Sequence, residues 1–344
     1  MTMPNRTQLL LIALLTSVLT FCLAGSRGVA ETSPTDGDLT ARRRVFSAIG
    51  PGLRAVKRGA DGKYYVLASP GVGVAIFDAQ GKPLSVIGAA PQAPVAGKTG
   101  RAAIAFGEDC DVDAQGNIYV ADRGYNLVSV FSPTGDLLRS FSANSPVSVA
   151  ALAQGEVAVT SLRGSHLVSI FGPTGKVGRE FGDFESLSPR EDFNRYLSLG
   201  RVLSDPQGRL YYGYTYLPEP LVRQFDRFGY AGQDFQFTGL DAFPEAQATR
   251  KEIERQEKKE NVAPFFRSIL TAFGVDPVSG EIWMALHNTL LHFDKDGNRL
   301  SQYQIYTKDG ARLEANTILV EPDRLLIGSD PLGVYDFERP DRKR

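Results

Sequence analysis

Cysteine is almost missing from this chain of 344 residues, with only Cys22 and Cys110. Two cysteines cannot make a disulfide framework, so stability must come from a packed core, which a chain of this length can bury. Tryptophan occurs once and histidine three times, against 20 Phe, 13 Tyr, 35 Gly and 20 Pro. That balance suits strands and turns better than helices. Charge of one sign is lacking too: the formal net charge is −1. No overall field therefore points to nucleic acid or to an anionic membrane.

The first thirty residues read as a signal peptide. Arg6 gives a small positive n-region, Leu9 to Leu23 is apolar and uncharged, and Gly28-Val29-Ala30 offers small residues before Glu31. About fifteen apolar residues are short for a membrane span. Lipidation would use Cys22, but Phe21 is bulky for the position before a lipidated cysteine. The expectation is an exported chain, periplasmic or secreted, with no span after signal removal and Cys110 as its one thiol. Between Asp109 and Asp111 on an expected strand, Cys110 reads as a small buried side chain rather than a nucleophile. Residues 31–41 are polar and are expected to form a disordered linker.

What is present is a repeat. Gln115-Gly116-Asn117-Ile118-Tyr119-Val120-Ala121-Asp122 reads as a turn and a strand. A polar loop, Leu127-Val128-Ser129-Val130-Phe131 and a tight turn ending at Gly135 follow. Two landmarks recur: a glycine before the second strand and a Phe-x-x-x-Gly turn after the third. They fall at Gly62 and Phe77–Gly81, Gly116 and Phe131–Gly135, Gly155 and Phe171–Gly175, Gly208 and Phe225–Gly229, and Gly280 and Phe293–Gly297. A sixth, degenerate copy runs from Pro322 to Phe337 and lacks its last strand.

Four strands per repeat, roughly forty or more residues apart, indicate propeller blades. Arg44-Val45-Phe46 resembles the fourth strands Arg139-Ser140-Phe141 and Arg179-Glu180-Phe181. It is expected to complete the last blade and close the ring, removing two sheet edges. The fold class is thus all-β, a six-bladed propeller over residues 42–338, with a charged tail at 339–344. Pro244 to Lys259, rich in Glu, Lys, Arg, Gln and Ala, reads as a helical insertion resting on the rim.

The second copy, Gly116 to Asp122 with Asn126, Val128, Val130, Phe131 and Gly135, resembles an NHL repeat, the unit of NHL-type six-bladed propellers. The other copies match loosely. That resemblance implies architecture and leaves activity open, since NHL propellers include RNA-binding modules, sensor ectodomains, scaffolds and lyases.

The loops between second and third strands and the long interblade links share one face, which is expected to bind. Arg123, Tyr125, Arg163, His166, Tyr214, Tyr216 and His287 are the candidate contacts for a protein, peptide or glycan. For any single tyrosine, packing between blades is the stronger reading. Asp122 and Asn126 read as turn formers. At the channel mouth the first strands offer Arg54, Glu108, Val147, Gly200, Thr271 with Ala272, and Asn316. Glu108 is expected to pair with Arg54, leaving too few oxygen ligands for a cation. No catalytic constellation, metal or cofactor is expected, and the chain reads as a monomer. The alternative is a metal-dependent, lactonase-like hydrolase or lyase using Glu108 and Asn316.

Overall fold

The computed structural model describes residues 36–89, 102–238, 244–259 and 263–342. The expected signal peptide and most of the expected linker lie outside them. Strands β1 (Gly37–Thr40) and β2 (Arg43–Val45) come first. Blade 1 follows as β3 (Leu53–Arg58), β4 (Tyr64–Ala68), β5 (Gly73–Phe77) and β6 (Pro83–Ile87). Blade 2 is β7 (Gly107–Val112), β8 (Ile118–Asp122), β9 (Leu127–Phe131) and β10 (Leu137–Ser142). Blade 3 is β11 (Pro146–Ala151), β12 (Val157–Ser161), β13 (Val168–Phe171) and β14 (Val177–Phe181). Helix α1 (Glu191–Leu197) precedes blade 4, which is β15 (Gly200–Ser204), β16 (Leu210–Tyr214), β17 (Leu221–Phe225) and β18 (Ala231–Gln236). Helix α2 (Pro244–Glu257) precedes blade 5, with β19 (Ala272–Val275), β20 (Ile282–Leu286), β21 (Thr289–Phe293) and β22 (Arg299–Tyr306). The last blade is β23 (Thr317–Val320), β24 (Arg324–Ser329) and β25 (Gly333–Glu338), with β2 paired antiparallel to β25 on its outer edge.

The chain is a six-bladed β-propeller. Its six sheets are antiparallel meanders, except that β1 adds a parallel fifth strand to blade 5. First strands of neighbouring blades touch, β3 against β7, β7 against β11, β11 against β15 and β23 against both β19 and β3, which places them around the axis. Second and third strands are almost wholly buried, whereas β6 and β10 are largely exposed, as expected of a core lying between blades.

The repeat's landmarks have a shared mechanism. The turn glycines Gly81, Gly135, Gly175, Gly229 and Gly297 all have positive φ. A Cβ on Gly175 would lie 2.6 Å from Phe141, and one on Gly229 2.5 Å from Phe181. Each of those phenylalanines belongs to the fourth strand of the preceding blade. It also packs on a third-strand phenylalanine of the next blade: Phe141 on Phe171 at 4.8 Å and Phe181 on Phe225 at 5.1 Å. Phe46 makes the equivalent contact with Phe77 at 4.7 Å. The Arg-x-Phe pattern is therefore an interblade clasp; two of its arginines reach the next turn too, Arg139 donating to the Pro173 carbonyl and Arg179 to the Arg227 carbonyl at 2.9 Å.

Two expected boundaries are corrected. Within the expected linker, Gly37–Thr40 is ordered as β1, because Leu39 buries itself beside Ile305 and Leu313. Within the expected tail, Arg339 is 0% exposed; its guanidinium donates to Asp276, Asp341 and the Glu321 carbonyl. Helix α2 lies where the composition placed it and buries a stripe of Ala246, Thr249, Ile253 and Gln256. No helix among the described residues is long and apolar enough to cross a membrane.

Candidate small-molecule site at the channel mouth

The first strands surround a cavity of about 1090 Å³ that reaches up to Arg54, Arg201, Ala272 and Asn316. Beside its upper end, next to Arg54, the link between blades 1 and 2 is organised by Asp122, which is 0% exposed. The Asp122 carboxylate accepts the backbone NH groups of Ala105 (2.8 Å), Phe106 (3.0 Å) and Gly124 (2.9 Å). A turn-forming role was legible from sequence. The clamp it places on the interblade link was not, since residues 105 and 122 come together only once the blade is built.

Phe106, so held, lies against two guanidinium groups: Arg54 is 5.2 Å and Arg123 4.9 Å from its ring centre. Arg123 also forms an ion pair with Glu108 at 2.8 Å. The expected Glu108–Arg54 pair is therefore replaced by Glu108–Arg123, and the buried Nε of Arg54 has no hydrogen-bond partner among the described residues. Sequence spacing favoured the axial neighbour, but the blade-2 loop folds Arg123 back over its own first strand.

Below this rim the charges are largely matched. Asp109 accepts from Ser148 Oγ, Val149 NH and Cys110 NH. Asp111 accepts from Ala151 NH at 2.8 Å and lies 3.9 Å from Lys57 Nζ. Burial pushes the Asp111 carboxyl up against the opposing pull of Lys57. The Lys57 ammonium is pushed down by burial, but Asp111 and Asp109 more than reverse this and leave it raised. Cys110 is fully buried; desolvation pushes its thiol far up, so it remains protonated and inert.

Arg201 donates Nη1 to the Glu108 carbonyl at 3.3 Å. Tyr216 feels both Arg201 and Glu108, and its ring packs on Tyr196 at 4.8 Å. Burial, with Tyr196 beside it, pushes the Tyr216 phenol up to about 12. Helix α1, which the sequence reading missed, supplies Tyr196; its signal was the Phe193–Leu197 pair, four apart and both buried.

His287 occupies the first position of the two-residue loop joining β20 to β21, with φ 57°. Its carbonyl accepts the NH of Ala315, one residue before Asn316, which puts it beside the mouth. Nε2 lies 3.1 Å from the Ser268 carbonyl. A carbonyl only accepts, so in the neutral ring Nε2 carries the proton and Nδ1 keeps its lone pair.

The other expected contacts divide. Tyr125 is 58% exposed on the rim. Arg163 is exposed on the next blade, and His166 is half-buried near Ser165 Oγ at 3.3 Å. Tyr214 is a correction: it is 0% exposed, donates to Glu185 at 3.2 Å and cannot meet a ligand. Alternation along β16 turns it between blades.

A divalent cation does not fit the mouth. Its carboxylate, Glu108, is matched by a guanidinium, which leaves one free oxygen, Asn316 Oδ1, buried without a hydrogen-bond partner among the described residues while Nδ2 donates to the Leu53 carbonyl at 2.7 Å; one oxygen is too few for such an ion. Another group, Glu281, His292 and Asp341, brings its ligand atoms within 4.8 Å. Arg339 already sits among them, 3.2 Å from Glu281 and 2.7 Å from Asp341, so the cation there is a guanidinium.

Solved structures share the architecture. A streptogramin B lyase is 13% identical, with a TM-score of 0.51 and 85% of each chain covered. A catalytically inactive histidine-to-alanine variant of virginiamycin B lyase from Staphylococcus aureus, with quinupristin, is 10% identical. That match has a TM-score of 0.51 and covers 84% of this chain and 81% of the other. A gluconolactonase from Xanthomonas campestris is 15% identical, with a TM-score of 0.54 and coverage of 90% and 99%. Such identities establish the fold alone. No protein-family model matches the sequence, and no curated relative does.

Proposed function

We propose that the protein is an exported hydrolase or lyase acting on a small molecule at the channel mouth, with His287 as its base. The observation that carries this reading is the His287 imidazole in a left-handed turn beside the mouth, its Nε2 3.1 Å from the Ser268 carbonyl. A non-glycine residue in that backbone region is an uncommon arrangement that gathers at functional sites. In ring opening of an ester, Nδ1 takes a proton from water as the water oxygen bonds the carbonyl carbon. Charge develops on the carbonyl oxygen as the tetrahedral carbon forms, and the positive mouth favours it. The ring C–O bond then breaks, and the leaving oxygen takes the proton back from His287. The likeness to a lyase and a lactonase, the former with an inactivating histidine replacement, supports this reading. The test is turnover of a panel of lactones and cyclic depsipeptides. Wild type is expected to exceed the buffer rate, and His287→Ala to lose at least about 100-fold, as expected for a general base. A wild-type chain no faster than buffer overturns the reading.

A second reading, an NHL-type binder of a protein, peptide or glycan on the loop-rich face, is favoured by exposed Tyr125 and Arg163. Arg163→Ala with Tyr125→Ala then weakens capture of such a partner and leaves turnover unchanged. Unaltered capture speaks against it.

A further inference from the structure

We propose that the upper end of the channel holds the carboxylate of a singly charged small molecule between Arg54 and Arg201. This rests on the channel-mouth reading and names its substrate class. The argument is one of unmatched charge. Six cations line the cavity: Arg58 and Arg179 pair with Glu321 and Glu156, Arg227 lies over Phe228 at the far end, and Arg54, Lys57 and Arg201 stand on the channel wall. Lys57 faces Asp111. Arg54 has a buried Nε without a hydrogen-bond partner among the described residues, and Arg201 has a single neutral acceptor, the Glu108 carbonyl. Glu108 itself is taken by Arg123. A half-buried guanidinium without a counter-ion is unfavourable, and the two arginines share one cavity of about 1090 Å³, ample for a small molecule.

Guanidinium geometry matches a planar carboxylate through paired N–H donors. Further down the same wall stand Asp109 and Asp111, with both carboxylates already hydrogen-bonded. Their charge opposes a doubly charged anion and leaves room for a monoanion. Phe106 holds the Arg54 guanidinium against its ring at the same end of the cavity.

The test is titration calorimetry on the full mature chain with benzoate, its neutral isostere benzamide, and inorganic phosphate. Benzoate is expected to bind at least about tenfold more tightly than benzamide, the difference one charge-assisted pair makes. Arg54→Met and Arg201→Met are each expected to lose a similar factor, with circular dichroism showing the fold retained. Arg54→Lys, which keeps charge but not the planar fork, is expected to fall between. Equal affinity for benzoate and benzamide in wild type overturns the proposal whether or not the variants fold. Phosphate binding more tightly than benzoate also overturns it. His287→Ala is expected to retain benzoate binding, so loss of turnover and loss of the anion site are read separately.

Discussion

The guanidinium of Arg339 lies 2.5 Å from the carboxylate of Asp276, sixty-three residues earlier, and neither side chain is more than 3% exposed. The contact ties the end of the chain to the hairpin between β19 and β20. Arg339→Ala would leave the buried Asp276 with only its backbone donors and the longer pair to Arg342 at 3.6 Å, and breaking a buried pair from one side costs up to about 3–5 kcal/mol. Urea unfolding should show a loss of that size. A variant that unfolds at the wild-type midpoint would contradict the assignment.

The same corner sets an acid limit. Burial pushes the His292 imidazole below its ordinary 6.5, with Asp341 and Glu281 opposing and Arg339 assisting; the ring lies flat on Trp283 at 3.9 Å. A depressed folded value means the unfolded chain binds more protons below pH 6.5, so stability falls as pH drops through that value. Burial also pushes the Asp276 carboxyl up, but Arg339 and the NH groups of Val278 and Ser279 more than offset it, leaving it below 3.8. That contribution is present above 3.8 and fades as pH falls further. Melting temperatures between pH 7 and 5 should decline in wild type and decline less in His292→Gln.

Gly229→Ala tests the interblade clasp. The residue has φ 97°, and a Cβ would sit 2.5 Å from the Phe181 ring. Left-handed backbone costs roughly 1–2 kcal/mol for an L-residue and overpacking about 1–3 more. Calorimetric melting should show a clear loss. In contrast Gly62→Ala, where nothing lies within 4 Å of the added carbon, carries only the backbone share.

Asp122→Asn keeps the shape of the clamp and removes its charge. Some of the NH groups of Ala105, Phe106, Gly124 and Tyr125 would then lose their acceptor. A loss of about 1–3 kcal/mol in stability is expected. Phe106 and Arg123 should loosen with it, so benzoate affinity should fall even though Asp122 touches no ligand.

The blades were legible because their signals are local. A glycine with positive φ at Gly116 or Gly135 is demanded by its own turn, and alternation from Ile118 to Ala121 needs no partner to be read. The Arg-x-Phe likeness of residues 44–46 to 139–141 was visible for the same reason. The mouth was not. Arg123 could be singled out as an exposed loop cation, but its choice of Glu108 over open solvent depends on how blade 2 folds back. Arg54 and Arg201 are 147 positions apart, and only the ring brings both to one cavity. Tyr214 shows the opposite error: a polar tip in an apparent loop position, which β16 extends far enough to bury. Arg339 read as part of a charged tail because Asp276 and Glu281, two of its three carboxylate partners, come from a distant hairpin.

Chemical rescue tests the central claim most directly. On a lactone that wild type opens, His287→Ala should be slow, and added imidazole should restore turnover in proportion to its concentration while leaving wild type unchanged. A His287→Ala chain that turns over at the wild-type rate, or one whose rate imidazole does not raise, would contradict the assignment of His287 as the base.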